Sequence, residues 1–118
     1  MEKPRAAQRP DEPEEWRVFQ RRGTPQILLL LSDGSSLRSS EIDAAIPTIK
    51  RQILGTRLNE LRELGILERE VEEGPPMISR YRVTEKGTAL AEVAEALNRV
   101  VSATPLAEED AGVDVPRP

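Results

Sequence analysis

The stretch Ile46 to Glu70, IPTIKRQILGTRLNELRELGILERE, changes its hydrophobic period partway along. Up to Leu64 the apolar residues recur at helical spacing, and Gly65 then breaks the pattern. A strand-like run follows, so a helix must hand over to a strand within a few residues. Basic residues occur in both halves. Whether they read a ligand or only keep a small domain soluble is the functional question.

The flanking segments fill in the order of elements. EPEEWRVFQRRG (Glu12 to Gly23) has the end charges of a short helix, acidic first and basic last. Trp16 and Phe19, three apart, share one face of it. TPQILLLLSDG follows, with Thr24 as expected N-cap and Pro25 in the first turn. Its all-round apolar run, Ile27 to Leu31, predicts a central buried helix. SSLRSSEIDAAIP predicts an extended piece near Leu37, then a short helix capped by Ser39 or Ser40, with Ile42, Ala45 and Ile46 on one face, ended by Pro47. After the helix from Thr48 to Leu64, ILEREVEE and ISRYRVT read as two strands around the turn EEGPPM. TEKGTALAEVAEALNRVVSA closes the pattern as a helix capped by Thr84, with Gly87 weakening its first turn slightly. The fold class expected is mainly α with a small β-hairpin wing (α+β), in the order of a winged helix-turn-helix. In that arrangement the second helix of the pair enters a DNA groove. Residues 1–11 and 105–118, rich in proline and charge, read as a disordered arm and a disordered acidic tail around one domain, 12–104.

Composition removes several classes of function. With no cysteine and no histidine among 118 residues, disulfides, thiolate metal sites and histidine catalysis are out. No metal or other cofactor is called for, and no carboxylate or lysine constellation suggests an enzyme. No segment reaches the roughly 20 apolar residues of a membrane span, and MEKPRAAQRP has no apolar core of a secretory signal. A soluble, cytoplasmic protein is expected. The net charge of −4 is unevenly placed. Residues 1–15 hold three basic and five acidic groups, residues 105–118 one and four, so the middle carries +1. That balance argues against strong non-specific DNA binding, not against a local basic cluster.

On a wheel of about 100° per residue, Ile49, Ile53, Leu54, Leu58, Leu61 and Leu64 form the buried face of the helix opened above. The opposite face carries Arg51, Gln52, Gly55, Thr56, Asn59 and Arg62. Arg and Gln suit bidentate contacts to guanine and adenine edges, and Thr suits a phosphate or a thymine methyl. Gly55 costs about 1 kcal/mol relative to Ala, which a helix tolerates more readily where something approaches its backbone. An ordinary solvated face is the alternative. Arg57 falls inside the apolar face, and a charge there needs a partner. Glu41 on the preceding helix is the expected one, in an ion pair that locks the two helices. In the wing, Arg80 and Arg82 alternate with Ser79, Tyr81 and Val83, so both arginines face one way, where a wing meets phosphates. Here too there is an alternative: a solvated hairpin face, with the arginines paired across to Glu68, Glu70 or Glu72.

The pieces GTPQILLLLSDG, SSEIDAAIPTIKRQILGTRLNELRELGILERE and PPMISRYRVTEKGTAL together resemble the HxlR-type family of bacterial winged helix-turn-helix regulators. The carrying features are Glu41-Ile42, the turn Ile46-Pro47-Thr48-Ile49, the helix Leu54 to Leu61, the joint Gly65 to Arg69, and Tyr81 to Thr84. MarR-like, PadR-like and ArsR-like proteins share the hairpin and the joint; the Ile-Pro turn and Pro-Pro wing favour the HxlR type. The chain departs from the family pattern in two places. Pro25 and Gln26 stand where the family usually has Trp, and Lys50 stands where it often has a capping Ser, which leaves Thr48 to cap the helix. Oxidant sensing through an N-terminal Cys, found in some relatives, cannot operate here.

The resemblance implies a homodimer formed through the terminal helices. The apolar stripe Leu90, Val93, Ala94, Leu97, Val100 and Val101 agrees with it, as do Trp16 and Phe19, which need cover. Packing on the chain's own core competes for part of that stripe. The resulting expectation is a homodimeric regulator of double-stranded DNA, with no effector identified. Arg51, Gln52 and Thr56 read bases, while Ser39, Ser40, Lys50, Arg80 and Arg82 hold phosphates. The competing expectation is a winged helix used for protein–protein assembly, favoured by the acidic tip Glu72-Glu73 and a pI near 5.0.

Overall fold

The computed structural model describes residues 12–104; the expectations for the two chain ends lie outside these. The elements are α1 (Glu14–Phe19), α2 (Thr24–Leu31), β1 (Leu37–Arg38), α3 (Ser39–Ala45), α4 (Arg51–Glu63), β2 (Leu67–Glu72), β3 (Ile78–Val83) and α5 (Glu85–Ala103). The sheet is antiparallel in the order β1-β3-β2, so the piece near Leu37 adds a third strand to the expected hairpin. The fold is a winged helix-turn-helix, with α3 and α4 as the helix pair and β2–β3 as the wing.

The change of period at Gly65 has a local cause. Gly65 takes a left-handed φ of 76°, cheap only for glycine. Its N–H reaches the Arg62 carbonyl at 3.0 Å and the Ile66 N–H reaches Leu61 at 2.9 Å. These two bonds are a Schellman ending, with Ile66 and Leu61 buried against each other's turn. The chain leaves α4 already extended and enters β2.

The central helix α2 is buried through Ile27, Leu28 and Leu31, and Leu54, Leu58 and Leu61 of α4 join the same core with Ile42, Ile46 and Ile49. Ala45 is exposed, not on that face.

Three expected caps fall elsewhere. Gly23, with φ 95°, is the N-cap of α2; Thr24 is a buried first-turn residue whose hydroxyl has no hydrogen-bond partner among the described residues. Arg38 is the N-cap of α3, so Ser39 and Ser40 sit inside its first turn. Lys50, not Thr48, occupies the cap of α4. The reason is packing: burying both Ile46 and Ile49 keeps the turn irregular and Lys50 extended, and the helix starts only at Arg51. Thr84 does cap α5, its hydroxyl accepting from the Gly87 N–H at 3.1 Å.

The start of α5 also closes the end of α4. Thr84 donates its hydroxyl to the Gly65 carbonyl at 2.6 Å and its N–H to Ile66 at 3.1 Å, and Lys86 Nζ donates to the Leu64 carbonyl at 2.9 Å. Gly87 makes this possible: a Cβ there would lie 2.0 Å from the Ile66 oxygen. The glycine that weakens the helix locally is required by the joint.

Candidate nucleic-acid interface

Burial of one side of α4 leaves the other side free. Arg51, Gln52, Gly55, Thr56, Asn59 and Arg62 are all exposed. The lower half of this face is internally satisfied: Arg62 donates to Asn59 Oδ1 at 2.7 Å, Asn59 donates to Glu63 at 3.3 Å, and the Thr56 hydroxyl donates back to the Gln52 carbonyl at 3.1 Å. The upper half is open. The Gln52 side chain has no hydrogen-bond partner among the described residues, and nothing lies within 4 Å of where a Gly55 Cβ would stand. Between α3 and α4 runs a groove of about 210 Å³, with Ser39, Ser40 and Asp43 on one wall and Arg51, Leu54 and Gly55 on the other. Of the expected contacts the groove brings Arg51 together with Ser39 and Ser40; Gln52 and Thr56 lie exposed on the same helix outside its lining, and Lys50 is exposed at the cap of α4.

Arg51 reaches across that groove. Its Nε and Nη2 both approach Asp43 Oδ2 at 3.4 Å. Periodicity within single helices gave no sign of Asp43, because the contact depends on how α3 and α4 cross.

The wing treats Arg80 and Arg82 differently. Arg82 is engaged by Glu68 at 2.7 Å and Glu70 at 3.4 Å, the cross-strand pairing set out above as the alternative to a phosphate role. Arg80 makes no ion pair among the described residues and stands between Arg38 in the β1–β3 register and Glu70 in the β2–β3 register, Glu70 being turned to Arg82. Like charges directly across a ladder are unfavourable without an anion or water to screen them. Arg38 was not among the expected phosphate contacts. Its signal, a basic residue just before a short helix, is too common to single out.

The Glu41–Arg57 ion pair is not formed. Glu41 turns back to its own helix start and accepts from the Arg38 N–H at 2.8 Å. That is the usual role of a glutamate three residues past an N-cap. Arg57, with its side chain only 14% exposed, donates Nε to the Arg22 carbonyl at 2.8 Å and pairs with Glu60. Glu60 also holds Arg21 at 3.2 Å. Arg57 thus has a structural role, tying α4 to the α1–α2 connection instead of to α3.

On the far side of the domain, α5 packs inward through small residues, Gly87, Ala91 and Ala94, and keeps its large ones outside. Val93, Leu97, Val100 and Val101 are 52–61% exposed, and Trp16 is 52% exposed. Phe19 and Leu90 are half-buried. Pro13, Trp16, Phe19, Leu90 and Val93 border an apolar hollow of about 250 Å³ between α1 and α5. Lys86 pairs with Glu15 beside it and holds that carboxyl below the usual carboxylate range. Among the described residues no group of acidic side chains could hold a metal ion, and no helix is long and apolar enough to cross a membrane.

Comparison with known proteins gives one answer. Residues 18–108 match the model of the HxlR-like helix-turn-helix family. The chain is 37% identical over 76 residues to YvaP of Bacillus subtilis (strain 168), an HTH-type transcriptional regulator, covering 64% of this chain and 69% of that protein. It is 44% identical over 64 residues to the HTH-type transcriptional regulator YodB of the same organism, covering 54% of this chain and 56% of YodB. Among solved structures, quinone-bound YodB superposes with a TM-score of 0.62 at 31% identity, covering 76% of this chain and 93% of that one. The reduced redox regulator HypR shares the fold, with a TM-score of 0.74 at 24% identity over 84% of this chain and 99% of that one. With an exposed polar face on α4 and a match over most of its length, the chain belongs to the HxlR-like helix-turn-helix family, whose named relatives are transcriptional regulators and not enzymes.

Proposed function

We propose that the protein regulates transcription in the cytoplasm by binding a near-palindromic operator as a homodimer, with α4 in the major groove. The observation that carries this is the exposed upper half of α4: Arg51, Gln52 and Gly55 lie on the side away from a core anchored by Leu54, Leu58 and Leu61. Arg51, Gln52 and Thr56 are assigned to base edges. Lys50, Ser39, Ser40 and Arg80 are assigned to phosphates, joined by Arg38; Arg82 contributes more weakly because two glutamates already neutralise it. The exposed apolar residues of α1 and α5 exceed what a small monomer scatters singly, and a second copy covering Trp16, Val93, Leu97 and Val101 fits them. Such a dimer presents its recognition helices about 34 Å apart.

Selection of bound duplexes from a random pool tests binding, symmetry and half-site spacing together. The expected product is an inverted repeat whose affinity falls steeply with salt. Failure to enrich any sequence, or a flat salt response, refutes the proposal and favours a protein–protein assembly module, the reading that the acidic wing tip supports. Sedimentation of Leu97→Glu/Val101→Glu tests the dimer; an unchanged mass would remove α5 from the interface.

A further inference from the structure

We propose that Asp43 is a positioning residue for Arg51, holding its guanidinium end-on towards a guanine edge and so setting base selectivity at that position. This role rests on the reading of α4 as a DNA-recognition helix.

The geometry is specific. Asp43 Oδ2 faces Nε and Nη2 of Arg51, both at 3.4 Å. That carboxylate oxygen occupies the side edge of the guanidinium fork. The end edge, formed by Nη1 and the outer N–H of Nη2, stays available for the O6 and N7 acceptors of guanine. The distances are long for hydrogen bonds, so the carboxylate limits the arc of the guanidinium without clamping it. The exposures differ in the matching sense: the Arg51 side chain is 85% exposed, whereas that of Asp43 is 25% exposed, behind it in the groove wall.

Stability does not explain the pair. Asp43 lies towards the C-terminal end of α3, where the helix field disfavours an anion, and Arg51 is the first residue of α4, where it disfavours a cation. An exposed pair of this kind contributes little to folding. It does remove rotamer freedom from a long side chain before any ligand arrives, and it discourages Arg51 from collapsing onto a phosphate.

The test uses the duplex selected by the wild-type chain and measures guanine preference at each position for wild type, Arg51→Ala and Asp43→Asn. Arg51→Ala identifies the guanine it reads by abolishing a preference of roughly 5- to 150-fold. The expected result for Asp43→Asn is a loss of at least about fivefold in that preference. Its thermal midpoint should be unchanged, and its salt slope steeper by about one as Arg51 becomes free to reach a phosphate. Asp43→Ser repeats the test with a smaller side chain should the asparagine variant not fold. A guanine preference in both variants within twofold of wild type overturns the role of Asp43 alone, as does an Arg51→Ala variant with undiminished preference. Absence of any sequence selectivity in the wild-type chain overturns the DNA-reading assignment itself, and this role with it.

Discussion

Two helical glycines, Gly55 and Gly87, should respond to alanine in opposite directions. Helix propensity alone favours both substitutions by about 1 kcal/mol. At Gly55 that is the whole effect, because nothing lies within 4 Å of the new Cβ. Gly55→Ala should therefore raise stability by about 1 kcal/mol, or roughly 4–8 °C in midpoint for a domain of this size. At Gly87 the new carbon would stand 2.0 Å from the Ile66 carbonyl oxygen and 3.1 Å from Val83 Cβ. An ordinary contact of at least 3.4 Å requires the helix start and the Ile66 carbonyl to separate by at least 1.4 Å. Overpacking of this kind costs about 1–3 kcal/mol. Separation also stretches the Thr84 N–H to Ile66 bond of 3.1 Å and disturbs the Thr84 cap, worth about 1 kcal/mol. Against the propensity gain, Gly87→Ala should lose about 1–3 kcal/mol net. Urea unfolding at one fixed protein concentration, followed by circular dichroism, measures both. A Gly87→Ala variant as stable as wild type would refute the close-approach argument. The same pair separates folding from function: Gly55→Ala should bind the selected operator more weakly despite folding better, because its methyl stands where DNA approaches. Undiminished binding by that variant would show that the glycine serves no close approach.

Arg57→Met removes the bond to the Arg22 carbonyl and leaves Glu60 to Arg21 alone, and should cost about 1–3 kcal/mol in urea unfolding; Glu41→Gln should cost less than about 1 kcal/mol through its cap. The double variant should be additive within about 0.5 kcal/mol, and strong coupling would restore the pairing between the two residues that the geometry rejects. Arg80→Ala should flatten the salt dependence of operator binding by about one unit of slope, and Arg82→Ala by clearly less; equal effects would show that DNA displaces Glu68 and Glu70. Because Lys86 depresses the Glu15 carboxyl, the folded state holds that proton less tightly than the unfolded state. The contact therefore stabilises above the usual carboxylate pKa, and that contribution disappears as pH falls through the lower folded value. Glu15→Gln should remove this part of the acid dependence, and an identical acid-unfolding profile in the variant would exclude it.

What the sequence determined by itself was the local grammar. The switch from a helical period to a strand at Gly65, the cap at Thr84, the buried α2 and the polar outer face of α4 follow from residues within a few positions of one another. Their hydrogen bonds and periodicities are local. Tertiary structure decided the partners. Arg57 was recognisable as a charge that needed one, but Glu41 was already satisfied by its own helix start, and only the approach of the α1–α2 connection supplied the Arg22 carbonyl. Gly87 read as a mild helix defect until Ile66 was packed against it. On α5 the pattern marked an apolar stripe without saying which part faces inward; the packed interior takes Gly87, Ala91 and Ala94 fully and Leu90 in part, which leaves the valines and Leu97 outside. The Asp43–Arg51 contact joins two helices whose crossing neither helix encodes. A side chain's local geometry is set by its neighbours in the chain, but its partner is set by where the rest of the fold puts the other half of the contact.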